Sequence, residues 1–181
     1  MRKTAIIAAL AAAAGTAAAG PDQAPSVSYS VSGTSGAYVL DFSVGASFDD
    51  QMGIYFFGVV VDTGRNIAGS PAGWDPNAWS SWDNSPYGGS STIYNNIWID
   101  NTVVGIQDGQ TLSGFQVNYT GASAPASVDW YAFGANGDYT GSDPFFNNTA
   151  NPGFEGTAFI PAPGALALLG LGGIASIRRR R

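Results

Sequence analysis

Short runs of β-branched and aromatic residues recur between residues 21 and 159, separated by clusters of Gly, Pro, Asn and Asp. In Val27–Val31, apolar residues alternate with polar ones, which places them on one face of a half-buried strand. In the next run, one face carries Tyr38, Leu40, Phe42 and Val44, and the other carries Asp41 and Ser43. Ile54–Val61 is apolar throughout, which predicts a strand covered on both faces. Further strands are predicted at Ile93–Ile99, Leu112–Tyr119, Val128–Phe133 and Thr157–Ile160. No 3.6-residue apolar repeat occurs here, so we predict an all-β fold, a jelly-roll or Greek-key-like β-sandwich of about seven to nine strands.

Large apolar side chains on these runs are predicted to form one core. A body of about 140 residues buries roughly 70% of its extended-chain surface, which is enough for a single core without disulfides. The predicted core residues are Tyr38, Phe42, Phe56, Val59, Val61, Ile97, Ile99, Phe115, Val117, Trp130 and Phe133.

The chain contains no Cys and no His, and its charge is distributed unevenly. The missing residue types exclude disulfides, thiolate nucleophiles, Cys/His zinc sites and imidazole catalysis. All 13 acidic residues lie between Asp22 and Glu155, where Arg65 is the one basic residue. Such a body cannot neutralise phosphates, so we expect it to bind neither nucleic acid nor an anionic membrane surface. Neutral sugars, cationic partners and calcium are compatible with its charge.

The first 19 residues are typical of a secretory signal peptide. Arg2 and Lys3 supply a positive start, and Ala5–Ala14 is an apolar run of the usual length. Ala17 and Ala19 provide the small residues that a signal peptidase needs, which predicts export by the Sec machinery and cleavage after Ala19. An alanine-rich helix belonging to the fold is the alternative, but this run has no polar face.

The last 22 residues have the features of a membrane-anchoring segment. Gly164–Ile177 is an apolar stretch that, as a helix rising ~1.5 Å per residue, covers ~21 Å of a ~30 Å hydrocarbon core. Four consecutive arginines follow and predict a cytoplasmic end; they are Arg178, Arg179, Arg180 and Arg181. Pro161 and Pro163 precede the stretch and hold the entering chain extended, with Ala162 between them.

This order of Pro-x-Pro, short apolar helix and terminal arginines resembles the PEP-CTERM sorting signal, over residues 160–181 only. The resemblance implies that an exosortase, a membrane protease-transpeptidase, cleaves near Pro161–Pro163. It also implies a Gram-negative bacterium that makes exopolysaccharide or biofilm matrix. Ala162 stands where the family most often has Glu, which leaves the exosortase subtype open. An uncut tail anchor in the inner membrane is the alternative.

Three segments are therefore predicted: a signal peptide at residues 1–19, a β-sandwich ectodomain at 20–159 and a sorting signal with a short transmembrane helix at 160–181. The expected location is an inner-membrane-anchored precursor that is later released to the cell surface or the exterior. The expected function is that of a non-enzymatic surface or matrix protein, and no cofactor is expected.

The segment from Thr63 to Ser91 has no strand or helix pattern, and a loop of this length is usually functional or disordered. It contains three tryptophans and two adjacent aspartates that could bind sugar rings by stacking and hydrogen bonding, namely Trp74, Asp75, Trp79, Trp82 and Asp83. Alternatively, the tryptophans cover one end of the sandwich and the aspartates form turns. A carbohydrate-binding module is thus the second functional hypothesis, with exopolysaccharide as its partner.

The carboxylates are compatible with two further activities, calcium binding and glycoside hydrolysis. Asn136–Gly156 contains Asp138, Asp143 and Glu155, oxygen ligands suited to calcium, without a calcium-loop motif. Asp49 with Asp50, or Asp75 with Asp83, could form the acid pair of a glycoside hydrolase, which is the third hypothesis. Neighbours in a strand point to opposite faces, which argues against the pair of Asp49 and Asp50.

Overall fold

A computed structural model describes residues 15–16, 25–48, 52–62, 64–87, 89–102, 104–136 and 152–160. These ranges form strands and one short 3-10 turn at Ser85–Tyr87. The strands are β1 Gly15–Thr16, β2 Ser26–Thr34, β3 Ala37–Gly45, β4 Met52–Val60, β5 Ile67–Gly69, β6 Trp74–Asp75, β7 Trp82–Asp83, β8 Ile93–Tyr94, β9 Asn96–Asp100, β10 Thr111–Tyr119, β11 Ser127–Asn136 and β12 Gly153–Phe159. The all-β prediction is confirmed. Over the same ranges, no helix is long and apolar enough to cross a bilayer.

The strands form two five-stranded sheets and one small ribbon. The first sheet has the order β1-β2-β3-β10-β5, and the second has the order β12-β11-β4-β9-β6. Strands β7 and β8 pair with each other as a separate two-stranded sheet. All the strand pairs are antiparallel, as expected for a sheet with one face on the core.

The main core lies between the two large sheets. Leu40, Phe42 and Val44 of β3 are buried, whereas the intervening Asp41 and Ser43 are half-buried. The Phe57 ring on β4 meets Phe42 across the sandwich, with ring centroids 6.0 Å apart. The predicted alternation thus produces the inner face of the first sheet.

Strand β4 is buried on both faces, as its unbroken apolar sequence predicted. Its pairing with β11 shifts register, from Phe56 opposite Phe133 to Ile54 opposite Gly134. This irregularity leaves Tyr55 and Phe56 in a second cluster, while Ile54 and Phe57 belong to the main core. The outer face of β4 therefore needs a cover of its own.

All seven predicted strand positions hold strands, and the structure differs from the sequence predictions in three respects. The predicted strand Ile93–Ile99 is divided at Asn95 into β8 and β9. Strands β5, β6 and β7 were not predicted, because two- and three-residue strands have no readable period. Of the predicted core residues, Tyr38 and Ile99 are only half-buried. Tyr38 lies where β3 begins, and Ile99 lies on β9 beside the short edge strand β6.

Several predicted features lie outside the described residues. They are Ala17, Ala19, residues 161–181, and the carboxylates Asp49, Asp50, Asp138 and Asp143. Within the predicted signal peptide, Gly15 and Thr16 pair with Val27 and Ser26 as strand β1.

Candidate functional site

The end of the segment predicted to be a patternless loop pairs with β8 and covers the outer face of the second sheet. We call the β7–β8 ribbon, with the described residues between the two strands, the flap. Trp82 of the flap packs on β11, with its ring centroid 4.5 Å from Tyr131 and 4.9 Å from Phe133. Trp82 also faces Tyr94 across the ribbon. The flap thus closes the surface that β4 and β11 expose.

Beneath the flap lies a second buried cluster, the outer aromatic cluster, made of Tyr55, Phe56, Trp82, Tyr94, Ile97, Tyr131, Phe133 and Ala135. Its rings meet edge-on or tilted, as in the Tyr131–Phe133 pair at 4.4 Å and the Phe56–Phe133 pair at 4.7 Å. Pairs of this kind contribute about 0.5–1.5 kcal/mol each beyond the burial of their area. The cluster therefore anchors the flap firmly.

A polar latch ties the flap to the edge strand β12. Asn84 is fully buried; its Nδ2 donates to Glu155 Oε2 at 2.8 Å, and its Oδ1 accepts from the Thr92 amide at 2.7 Å. The Ser90 amide donates to the same Glu155 oxygen at 3.2 Å. Glu155, the one glutamate of the chain, thus joins two points of the flap to β12. Sequence reasoning missed this role because it depends on a contact across 71 residues.

Two buried tyrosines of this region, Tyr94 and Tyr131, have a raised pKa. Burial raises the pKa of both Tyr94 and Tyr131, and the nearby Glu155 carboxylate raises it further. Tyr94 donates a long hydrogen bond of 3.4 Å to the Trp130 carbonyl. These hydroxyls therefore serve the packing of the cluster as neutral phenols and offer no phenolate base near neutral pH.

The three loop tryptophans lie in different surroundings. Trp74 is 7% exposed and packs in the main core, perpendicular to Phe115 at 5.0 Å. Trp82 is 8% exposed in the outer aromatic cluster. Trp79 is 38% exposed and rests on Phe56, with ring centroids 5.6 Å apart. Trp79 thus presents indole surface to solvent on a rigid aromatic support.

The predicted aspartates form local turns. Asp75 Oδ1 accepts from the Asn77 amide at 2.7 Å, and Asp83 Oδ1 accepts from the Ser85 amide at 2.8 Å. Hydrogen bonds from Ser85 hold the pKa of the Asp83 carboxyl below its ordinary value. Asp75 lies in the second sheet and Asp83 in the flap, so they belong to different elements.

The acidic side chains are dispersed in the part of the chain that the structure describes. No group of three or more Asp, Glu, His or Cys side chains comes together there. Glu155, the one described residue of the calcium hypothesis, is engaged by Asn84 and Ser90. Comparisons with protein-family models, with curated proteins and with solved structures found no match to this chain.

Proposed function

We propose that this protein is an exported, non-enzymatic surface or extracellular-matrix protein that is processed by an exosortase. One observation carries the proposal: Pro161-Ala162-Pro163, a 14-residue apolar stretch and four arginines follow one another at the end of the chain. A signal peptide at the other end delivers the body across the inner membrane. The cargo in this proposal is a β-sandwich of jelly-roll or Greek-key type.

Each part of the tail has its own task in this proposal. The apolar stretch Gly164–Ile177 enters the bilayer and halts translocation, while Arg178–Arg181 stay on the cytoplasmic side. Pro161 and Pro163 keep the adjoining backbone extended and accessible to the exosortase. Cleavage there releases the anionic body to the cell surface or the exterior.

The state of the body's carboxylates supports a non-enzymatic role. Several of them accept hydrogen bonds from backbone amides and so serve the fold, namely Asp41, Asp75, Asp83, Asp100 and Asp108. A glycoside hydrolase needs two carboxyl groups that face each other across a cleft. This hydrolase hypothesis therefore has less support than the matrix role.

Intact masses test the proposal directly. The protein recovered from the envelope and from the medium is expected to lack the first 19 or so residues and a C-terminal piece beginning near Pro161.

Deleting Arg178–Arg181 is expected to reduce membrane retention and processing severely, because nothing then fixes the helix end on the cytoplasmic side. Replacing the four arginines by lysines preserves the charge and is the matched control. Normal processing of the deletion variant, or an extracellular product that still ends in arginines, would contradict the proposed topology.

A second candidate function is carbohydrate binding, and the exposed Trp79 favours it. Its indole is held on Phe56 while 38% of its surface remains exposed, which suits stacking on a sugar ring. The body's strongly negative charge directs this function toward a neutral polysaccharide.

Removing the Trp79 indole tests this second candidate. The Trp79→Ala variant is expected to bind hydroxyethylcellulose, xyloglucan or galactomannan about tenfold more weakly in affinity gel electrophoresis, a typical loss for an aromatic contact residue. Ile93→Ala is the matched control, since Ile93 is 60% exposed on β8. If the polysaccharide in the gel slows both variants and the parent protein equally, Trp79 does not contact the polysaccharide.

A further inference from the structure

A cavity of about 630 Å³ lies beside Trp74, between β6 and the segment that joins β9 to β10. This volume is within the range of roughly 300–1,000 Å³ that small-molecule sites occupy. Its walls include Trp74, Asp100, Thr102, Val104, Gln110 and Thr111. Of the three loop tryptophans, only Trp74 lines this cavity.

Two turns shape the cavity, and glycines allow both. Gly73 has φ +86° and Gly105 has φ +67°, backbone conformations that other residues rarely adopt. The Asn101 amide donates to the Gly73 carbonyl at 2.9 Å, which joins the two turns. A Cβ on Gly105 would lie 2.5 Å from the carbonyl oxygen of Ile54, so only glycine allows this close approach. Gly105 thus brings one wall of the cavity close to the backbone of strand β4.

Asp100 determines which charge the cavity accepts. Its carboxylate is almost buried and accepts from the Thr102 amide at 2.9 Å and the Gly105 amide at 2.7 Å. The Thr102 hydroxyl also donates to it, at 2.7 Å. No basic side chain lines the cavity among the described residues. An anionic ligand would thus meet an uncompensated negative charge, while the carboxylate oxygens are already occupied as acceptors.

The remaining walls combine an apolar side with a polar one. On the apolar side, Val104 is 58% exposed, and Trp74, held perpendicular to Phe115, adds the 7% of its surface that stays exposed. Gln110 and Thr111 add an amide and a hydroxyl that can exchange hydrogen bonds with a ligand. A sugar ring has one apolar face and a rim of hydroxyls, so it matches both sides of the cavity. Gln110 Oε1 already accepts from the Gln107 amide at 3.1 Å, so its Nε2 is the group that can donate to a ligand. A purely aliphatic ligand would displace water from this Nε2 and from the Thr111 hydroxyl without replacing its hydrogen bonds.

We propose that this cavity binds neutral sugar rings, with Val104 and the exposed part of Trp74 on its apolar side and Gln110 and Thr111 as hydrogen-bonding partners. The inference rests on the carbohydrate-binding candidate function and adds to it a second subsite, separate from Trp79. It also predicts selectivity, because the carboxylate of Asp100 disfavours uronic acids.

Calorimetry on the full chain with soluble tetrasaccharides of glucose, galactose and mannose tests the inference. At least one of these probes is expected to bind, and tetragalacturonate is expected to bind at least about tenfold more weakly than the best of them. Val104 lines the cavity and is 58% exposed, so Val104→Trp is expected to obstruct it and weaken binding at least about tenfold. Ile93→Trp places the same bulk on the flap and is expected to bind like the parent protein.

A second, more conservative variant keeps the test informative if Val104→Trp does not fold. Thr111→Val removes one exposed hydroxyl at nearly constant volume, and we expect it to weaken binding about threefold to tenfold. Parental affinity in both Val104→Trp and Thr111→Val, or equal binding of tetragalacturonate, overturns the inference. If only Trp79→Ala loses binding, the cavity inference fails and the candidate function stands. If no neutral tetrasaccharide and no neutral polysaccharide binds the parent protein, both fail.

Discussion

Replacing Trp82 by alanine is expected to lower the free energy of unfolding by about 3–5 kcal/mol, the usual loss for a buried tryptophan. The indole is 8% exposed and contacts Phe56, Tyr131 and Phe133, which belong to two different strands. Its removal opens a void that these aromatic rings cannot fill without moving. Because Trp82 is the largest side chain that anchors the flap, we expect the loss of stability to be greatest in the flap. The flap should then open locally more often than in the parent protein.

Chemical denaturation measures the total loss, and amide hydrogen exchange locates it. Exchange is expected to accelerate in the flap and at Tyr131 and Phe133, which the flap covers. Trp79→Ala is the matched control, expected to cost clearly less than Trp82→Ala because that indole is 38% exposed. If both variants unfold at the same denaturant concentration, Trp82 does not anchor the flap.

Above pH 10 the protein is expected to lose stability steeply. Burial raises the pKa of Tyr29 from 10.0 to about 12, and that of Tyr94 and Tyr131 further still. Below pH 10 these tyrosines are protonated in both states, so they add no pH dependence to the free energy of unfolding. Between pH 10 and 12 the unfolded chain releases their protons before the folded chain does, so each tyrosine lowers that free energy by at most about 1.4 kcal/mol per pH unit. The three together give a slope of at most about 4 kcal/mol per pH unit.

Tyrosinate absorbance and circular dichroism, followed together during an alkaline titration, check this expectation. Ionisation of these tyrosines and loss of β-structure should coincide in one transition. Tyr94→Phe removes one of the three titrating groups and should make the slope shallower by at most about 1.4 kcal/mol per pH unit. Reversible ionisation of all the tyrosines in a protein that keeps its circular dichroism would contradict the burial of these hydroxyls.

The strands were predictable where side chains repeat with period two or form a long apolar run. Leu40, Phe42 and Val44 alternate with polar neighbours, and β4 is apolar on both faces, so each sequence carries its own signal. The short strands β5, β6 and β7 carry none, because they exist only through pairing with distant partners. Trp74, for example, is placed in β6 by its pairing with Asp100.

The candidate site was predictable in its residue types and not in its arrangement. The three loop tryptophans stand out in the sequence, yet Trp74 and Trp82 enter different cores and Trp79 stays exposed. The latch between Asn84 and Glu155 and the cavity beside Trp74 depend on contacts between remote segments. Hydrogen bonds of this kind leave no local pattern, since each partner is an ordinary polar residue in its own neighbourhood.

The sequence by itself determined the fold class, the exclusion of thiol and imidazole chemistry, and the predicted order of signals at the two ends. These properties follow from residue type, periodicity and charge, all of which are local. The tertiary structure alone decided which aromatic side chains are covered, which carboxylates are engaged, and where a cavity remains. Burial and hydrogen bonding depend on which segments meet in space, and long-range packing between sheets decides that for this chain.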